Sequence, residues 1–419
     1  MSTIIASSIP KLSIAILLIL AGVNPCLAKL QSAEIVGNPT VNKNKVTVRV
    51  KVKQADGRPA LDLQEDNFRL MVDGKPVDLK PKDWKSSKEA TPPPAWIVFL
   101  LDYSGSMKGK DSKGTTKLEG AIGAIRAFIA ATAQRSGDTK VVVVPFGEGS
   151  GAQAKCNRPV TKDEINRFFP AGDAKVENQL NSLVEGNPCA STNIYDPVAE
   201  TVKFFNNPQD DRFVEREGEV RPRMSVILLS DGYQNKAGEE ASFKSLISLL
   251  GRQESVVVHT LGYGLTPEEL GKKYGLKRAA KRSDVGKKVK EEEFVDSQRL
   301  REIAKVTGGV AEFSPDAKAV SEKLDVFLDA ILGEYEISYL EPNPERGSKH
   351  QLVVAVKGSS KGDNVKSSTK DYSIGVFGRS LSGSHRLLMA FGTGSILLVG
   401  GVLPFWLWGK QLKREASEG

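Results

Sequence analysis

Asp102, Ser104 and Ser106 set one carboxylate and two hydroxyls at alternate positions of the stretch Asp102-Tyr103-Ser104-Gly105-Ser106. On a loop tightened by Gly105 these oxygens can converge on a single hard cation. All-oxygen donors suit Mg²⁺, with Mn²⁺ or Ca²⁺ as alternatives, and not zinc, which prefers nitrogen and sulfur. A second carboxylate, Asp231, lies in Leu228-Leu229-Ser230-Asp231-Gly232, again directly after an apolar run. The competing reading makes the hydroxyls mere turn caps. Catalytic chemistry finds less support. None of the three histidines follows a metal or triad motif, and no G-x-S-x-G elbow occurs. Gly109 to Gly114 has the glycine spacing of a phosphate loop, but Thr115 replaces the lysine that would contact phosphate. A hydrolase is therefore an alternative, and the reading adopted is not an enzyme.

Two carboxylates far apart in sequence meet only if their elements end side by side. Trp96 to Leu101 is a short, continuous apolar run, as expected of a strand buried on both faces. Val141 to Phe146, Met224 to Leu229 and Val256 to Leu261 repeat the pattern, and Val310 to Phe313 follows. Between them, Leu118, Ala121, Ile122, Ile125, Phe128 and Ile129 recur at helical spacing. Helices are also predicted over Ile194–Phe205, Phe243–Leu250, Leu300–Val306 and Val320–Leu332, and Thr161 with Glu164 forms a capping box for a short one. Strands alternating with helices predict an α/β fold with a parallel sheet covered on both faces. Ligands of such sheets bind in the loops at the carboxyl ends of the strands, where Asp102 and Asp231 fall.

In these residues the sequence resembles the von Willebrand factor type A family, whose metal-ion-dependent adhesion site uses Asp-x-Ser-x-Ser, a threonine and a later aspartate. Asp102, Ser104 and Ser106 match the first motif and Asp231 the last, while Thr192 in Ser191-Thr192-Asn193-Ile194-Tyr195-Asp196 looks like the threonine. Thr307-Gly308-Gly309, at the end of a predicted helix, is also similar to the family, and the resemblance spans roughly Pro94 to Gly333. Ala190-Ser191 departs from the two glycines that often precede the threonine. The resemblance implies a Rossmann-like sheet over 94–333 and binding of Mg²⁺ by Asp102, Ser104, Ser106, Thr192 and Asp231. It further implies that a carboxylate of a protein ligand completes the coordination.

Strand grammar returns on either side. Val46, Val48, Val50 and Val52 alternate with polar residues, as do Phe68, Leu70 and Val72 before the Asp73-Gly74 turn. Tyr335, Ile337 and Tyr339 alternate again, then Leu352, Val354 and Val356, then Tyr372, Ile374 and Val376. The β regions 29–90 and 334–378 together approach the ~100 residues of a β-sandwich. One sandwich split by the α/β domain is the reading adopted; two separate small modules are the alternative. The stretch from Asp56-Gly57-Arg58-Pro59 to Asp73-Gly74-Lys75-Pro76 also resembles the β region preceding such domains in some bacterial proteins.

The two ends point to a membrane. Lys11, the apolar run Leu12 to Val23 and Cys26-Leu27-Ala28 read as a signal peptide over 1–28. Leu387 to Gly409 holds no charged residue, ends in Trp406 and Trp408, and is followed by Lys410, Lys413 and Arg414. That is the grammar of one transmembrane helix with a cytoplasmic tail, 410–419, and the bulk of the chain extracytoplasmic. Without Cys26 the remaining Cys156 and Cys189 form an even pair in an oxidising compartment, and a disulfide is expected. The net charge of +8 is matched by one segment, 272–290, which holds nine Lys or Arg against Asp284. A local excess of that kind gives no warrant for nucleic acid as a partner. It reads as a solvated loop, or as an accessory patch for an acidic ligand or lipid headgroup.

Overall fold

The computed structural model describes residues 29–418 except 43, 80–82, 91–92, 136, 150, 214–221, 232–233, 235–237, 254, 346, 359–361 and 375–382. The expected signal peptide, 1–28, lies outside the described residues, and so does Val376.

A six-stranded sheet forms the centre. Its strands run in the order Ala311–Ser314, Val256–Tyr263, Arg223–Ser230, Ala95–Asp102, Thr139–Phe146 and Phe169–Pro170. All pairings are parallel except the last, a two-residue antiparallel edge. The alternation of side chains sorts the central strand between two cores. Ile97, Phe99 and Leu101 pack with helices Lys117–Gln134 and Ala317–Leu332 on one face. Trp96, Val98 and Leu100 pack with Tyr195–Phe205, Glu239–Leu250 and Ser297–Val306 on the other. Both faces are buried, which is why these strands read as unbroken apolar runs. Gly309 explains the glycine pair after helix Ser297–Val306. A Cβ there would lie 2.0 Å from the Val258 carbonyl oxygen, so only glycine lets the chain pass the sheet.

Two antiparallel sheets complete the fold, each mixing strands from before and after the α/β unit. Leu30–Ile35, Lys45–Gln54, Tyr335–Leu340 and Trp84–Lys85 make one, with Thr40–Asn42 also paired to Lys45–Gln54 and Val48 opposite Ile337. Asn364–Lys366, Lys349–Lys357, Phe68–Val72 and Lys75–Val77 make the other, with Lys370–Ser373 also paired to Lys349–Lys357 and Leu70 opposite Val354. Val46, Val48, Val50 and Val52 meet Leu70, Tyr335, Ile337, Leu352 and Val354 in one apolar core. The Arg58–Glu312 and Arg223–Glu334 ion pairs tie this core to the central sheet.

Helix Ala174–Glu185 was not expected from the pattern; its Val176, Leu180 and Leu183 bury only a narrow stripe. At the far end, Leu387–Glu418 is one helical stretch long and apolar enough to cross a membrane, and its apolar window is not buried against the rest of the chain. A π-helical turn, Leu398–Val402, interrupts it at Gly400 and Gly401.

Candidate metal centre

Strand order brings the two carboxylates together. From Ala95–Asp102 the chain passes to Thr139–Phe146 on one side, then returns to lay Arg223–Ser230 on the other. This reversal is a topological switch point, and the crevice it leaves at the carboxyl ends is where open α/β sheets bind ligands. Leu101 is in register with Leu229, so Asp102 and Asp231 leave neighbouring strands almost level.

Both carboxylates are fully buried, and Ser104 is 2 % exposed. Asp102 is held from two sides: its Oδ1 accepts the Ser104 backbone N–H at 3.0 Å and its Oδ2 accepts the Ser230 hydroxyl at 2.5 Å. The Ser106 hydroxyl donates to Asp231 Oδ1 at 2.8 Å, and Ser104 Oγ lies 2.9 Å from Ser106 Oγ. A continuous chain of oxygens therefore runs Ser104, Ser106, Asp231. Burial first, and then the charge of Asp231, raise the Asp102 carboxyl above the ordinary carboxylate range.

The two residues that precede Thr192 are held against this group through their backbone. Gly105 N–H donates to the Ala190 carbonyl at 2.9 Å, and Ser191 exchanges two backbone hydrogen bonds with Glu148, at 2.7 and 2.8 Å. The Cys156–Cys189 disulfide is formed, with a Cα–Cα distance of 5.4 Å, and so clamps the segment three residues before Thr192. Helix Tyr195–Phe205 starts just beyond, and its first free N–H groups are met by Gln234: Oε1 accepts from Ile194 at 3.0 Å and from Tyr195 at 3.2 Å. Gln234 follows Asp231 by three residues, so the aspartate loop and the threonine loop share one buried amide.

Three residues of this site were not identified from the sequence. Ser230 and Gln234 flank Asp231 and had no motif to mark them. Lys117 did carry a signal. It is the first residue of helix Lys117–Gln134, after the Thr116 N-cap, where the helix dipole disfavours a cation. Its ammonium nevertheless turns inward, 2.6 Å from Asp231 Oδ2.

Beside the serines opens a cleft of about 650 Å³. Ser106, Lys110 and Lys117 line one wall, and Leu265, Lys273 and Glu293 the other. The second wall belongs to the excursion 265–294 that contains the basic segment; most of its Lys and Arg side chains are exposed, as expected of a solvated loop, but the backbone closes over a small core. Thr266 and Glu269 cap helix Pro267–Lys273, and Leu270, Ala280, Val289 and Phe294 close a small core of their own. Four apolar residues spread over 25 positions have no periodicity to read, which hid this fold behind the charge. Arg278 pairs with Asp284, and Lys273 with Glu293, each at 2.6 Å.

The donor set fits a hard divalent cation. Its atoms are oxygens, and among the described residues the Lys117 ammonium pairs with Asp231 and no ion pair is formed by buried Asp102, which favours a cation beside it. Among the described residues no three His, Cys, Asp or Glu side chains converge, so the hydroxyls are an essential part of any such site.

Residues 97–234 match the family model of the von Willebrand factor type A domain, and the chain carries that domain. Similar solved structures include the pilus adhesin SpaC of Lactobacillus rhamnosus GG, 14% identical over 72% of this chain and 34% of that one, with a TM-score of 0.39. An aerotolerance-related membrane protein of Bacteroides fragilis is 17% identical over 56% of this chain and 99% of its own, with a TM-score of 0.35. BatB of Bacteroides thetaiotaomicron has the same identity and coverage, with a TM-score of 0.33. The chain thus spans about a third of the length of the adhesin. No curated protein matches the chain in sequence.

Proposed function

We propose that this von Willebrand factor type A domain captures a protein ligand through a divalent cation, Mg²⁺ in the first place, and that its C-terminal helix anchors it to a membrane. The observation that carries this reading is the Ser104–Ser106–Asp231 chain of oxygens closed against buried Asp102. The ion would supply Lewis acidity toward a ligand carboxylate. The protein's own residues do the rest. Ser104 and Ser106 offer hydroxyl oxygens, Asp102 and Asp231 supply charge, and Thr192 approaches on a loop held by Cys189 and Gly105. Asp102 is oriented by Ser230 and the Ser104 N–H, so its oxygens are set before any ion arrives. The role is recognition, with the bulk of the chain outside the cytoplasm and nucleic acid not among its partners.

Calorimetry of the full chain in detergent with Mg²⁺, together with capture of partners with and without EDTA, tests the reading. Asp102→Ala should bind no ion and lose the EDTA-sensitive partners. Thr192→Ala should keep most ion affinity and capture less, and Lys318→Ala, on an exposed helical face, should match the parent. If Asp102→Ala captures the same partners in EDTA and in Mg²⁺, the domain is a metal-independent scaffold of a membrane complex.

A further inference from the structure

Lys117 is the unexplained charge of the site. Its side chain is 11 % exposed, its ammonium lies 2.6 Å from Asp231 Oδ2, and it sits at the positive end of its own helix. A lysine there loses hydration and meets an adverse dipole, and gains a salt bridge whose net worth in the interior is small. Fold stability alone is a poor reason for it. Charge arithmetic supplies a better one. Asp102 and Asp231 carry two negative charges, and a divalent ion between them would be neutral, with nothing left to attract a carboxylate. Lys117 cancels one of the two through the oxygen of Asp231 that Ser106 does not use. Ion, aspartates and lysine together then keep one positive charge facing the cleft that Ser106 and Lys117 line.

We propose that Lys117 is a positioning and charge-setting residue of the ligand site: by neutralising Asp231 it weakens ion binding and leaves the bound ion electrophilic toward an anionic ligand. The inference rests on the metal-dependent reading above and adds the group that sets the ion's affinity for carboxylates.

The full chain is titrated with Mg²⁺ in sodium chloride and in sodium acetate of equal ionic strength, acetate serving as the carboxylate probe. By linkage, acetate that binds the ion strengthens apparent Mg²⁺ affinity, and the ratio of the two affinities measures the coupling. The parent should show a ratio above one. Lys117→Met should bind Mg²⁺ at least about tenfold more tightly in chloride, because a cation near the site is gone. Its acetate ratio should fall to one. Lys117→Arg should keep the parent's ratio. Lys117→Met combined with Asp231→Asn restores the site's charge, so the ratio should return above one even though Mg²⁺ binds more weakly. That double variant carries no unpaired buried lysine partner and reports even if Lys117→Met alone does not fold. An unchanged ratio in Lys117→Met, or no recovery in the double variant, overturns the proposal and leaves the metal reading standing. A parent that binds no Mg²⁺ removes both.

Discussion

Gly147 faces the methyl group of Ala190 so closely that a Cβ at 147 would lie 2.4 Å from it. The departure from glycine before Thr192 is thus absorbed by a glycine on the facing strand end, and the threonine loop stays pressed against the site. Gly147→Ala should push the Ala190–Ser191 segment away and destabilise by about 1–3 kcal/mol, as overpacking does. Ala190→Gly in the same chain should restore stability, since the remaining neighbours of that Cβ are at ordinary distances. Denaturant melts of the single and double variants decide it. Additive losses would show that the contact is not the cause.

The disulfide links residues 33 positions apart. Closing a loop of that size stabilises by about 3–4 kcal/mol in the chain-entropy account. Reduction, or paired Cys156→Ala and Cys189→Ala, should lower the denaturation midpoint accordingly. It should also weaken ligand capture more than ion binding, because Cys189 holds the approach to Thr192. Equal losses in both would show that the clamp acts on the fold alone.

His259 gives the stability a pH dependence. It is 1 % exposed, its Nδ1 accepts the Val310 N–H at 3.2 Å, and burial, followed by the charges of Lys51 and Lys53, holds its pKa down to about 3. The unfolded chain takes up a proton near pH 6.5 and the folded one does not, so stability is complete above that pH and falls as pH drops toward 3. At pH 5 this group should have cost about 2 kcal/mol. His259→Gln should flatten the profile between pH 7 and 5. An unchanged slope would place the acid sensitivity elsewhere.

Asp102 works the other way when the ion is withheld. Its raised pKa means the folded state prefers the protonated form, so ionising it beside Asp231 costs stability as pH rises above the ordinary carboxylate range. Asp102→Asn keeps an acceptor for the Ser104 N–H and a donor for Ser230. In EDTA at neutral pH the variant should melt a few degrees above the parent. Mg²⁺ should stabilise the parent and leave the variant unmoved. A variant that melts lower in EDTA would show that its hydrogen bonds outweigh its charge.

The topology proposed for the chain is testable with single cysteines. An impermeant thiol reagent should label position 277, on the basic excursion, from outside intact cells and should not label position 412. The opposite pattern would reverse the orientation drawn from Lys410, Lys413 and Arg414.

Much of this protein was legible in its sequence because the physics is local. Unbroken apolar runs such as Val141–Phe146 declare strands buried on both faces, and the helical spacing from Leu118 to Ile129 declares a helix that covers one of them. The Asp102–Ser106 motif states its own oxygen chemistry, and Cys156 and Cys189 form the expected bond. Non-local facts were different. That Arg223–Ser230 docks beside Ala95–Asp102, and brings Asp231 to Ser106, follows from strand order, which no local periodicity encodes. The inward turn of Lys117 depends on that docking, since Asp231, the carboxylate it meets, lies 114 residues further along the chain. The excursion that carries the basic segment became a cleft wall because four scattered apolar residues found one another in space, while its lysines, read alone, fitted a solvated loop or an accessory acidic-ligand patch. Composition and pattern determined the elements and the donors; long-range packing decided which charges meet, because Coulomb and desolvation energies depend on distance through space and not along the chain.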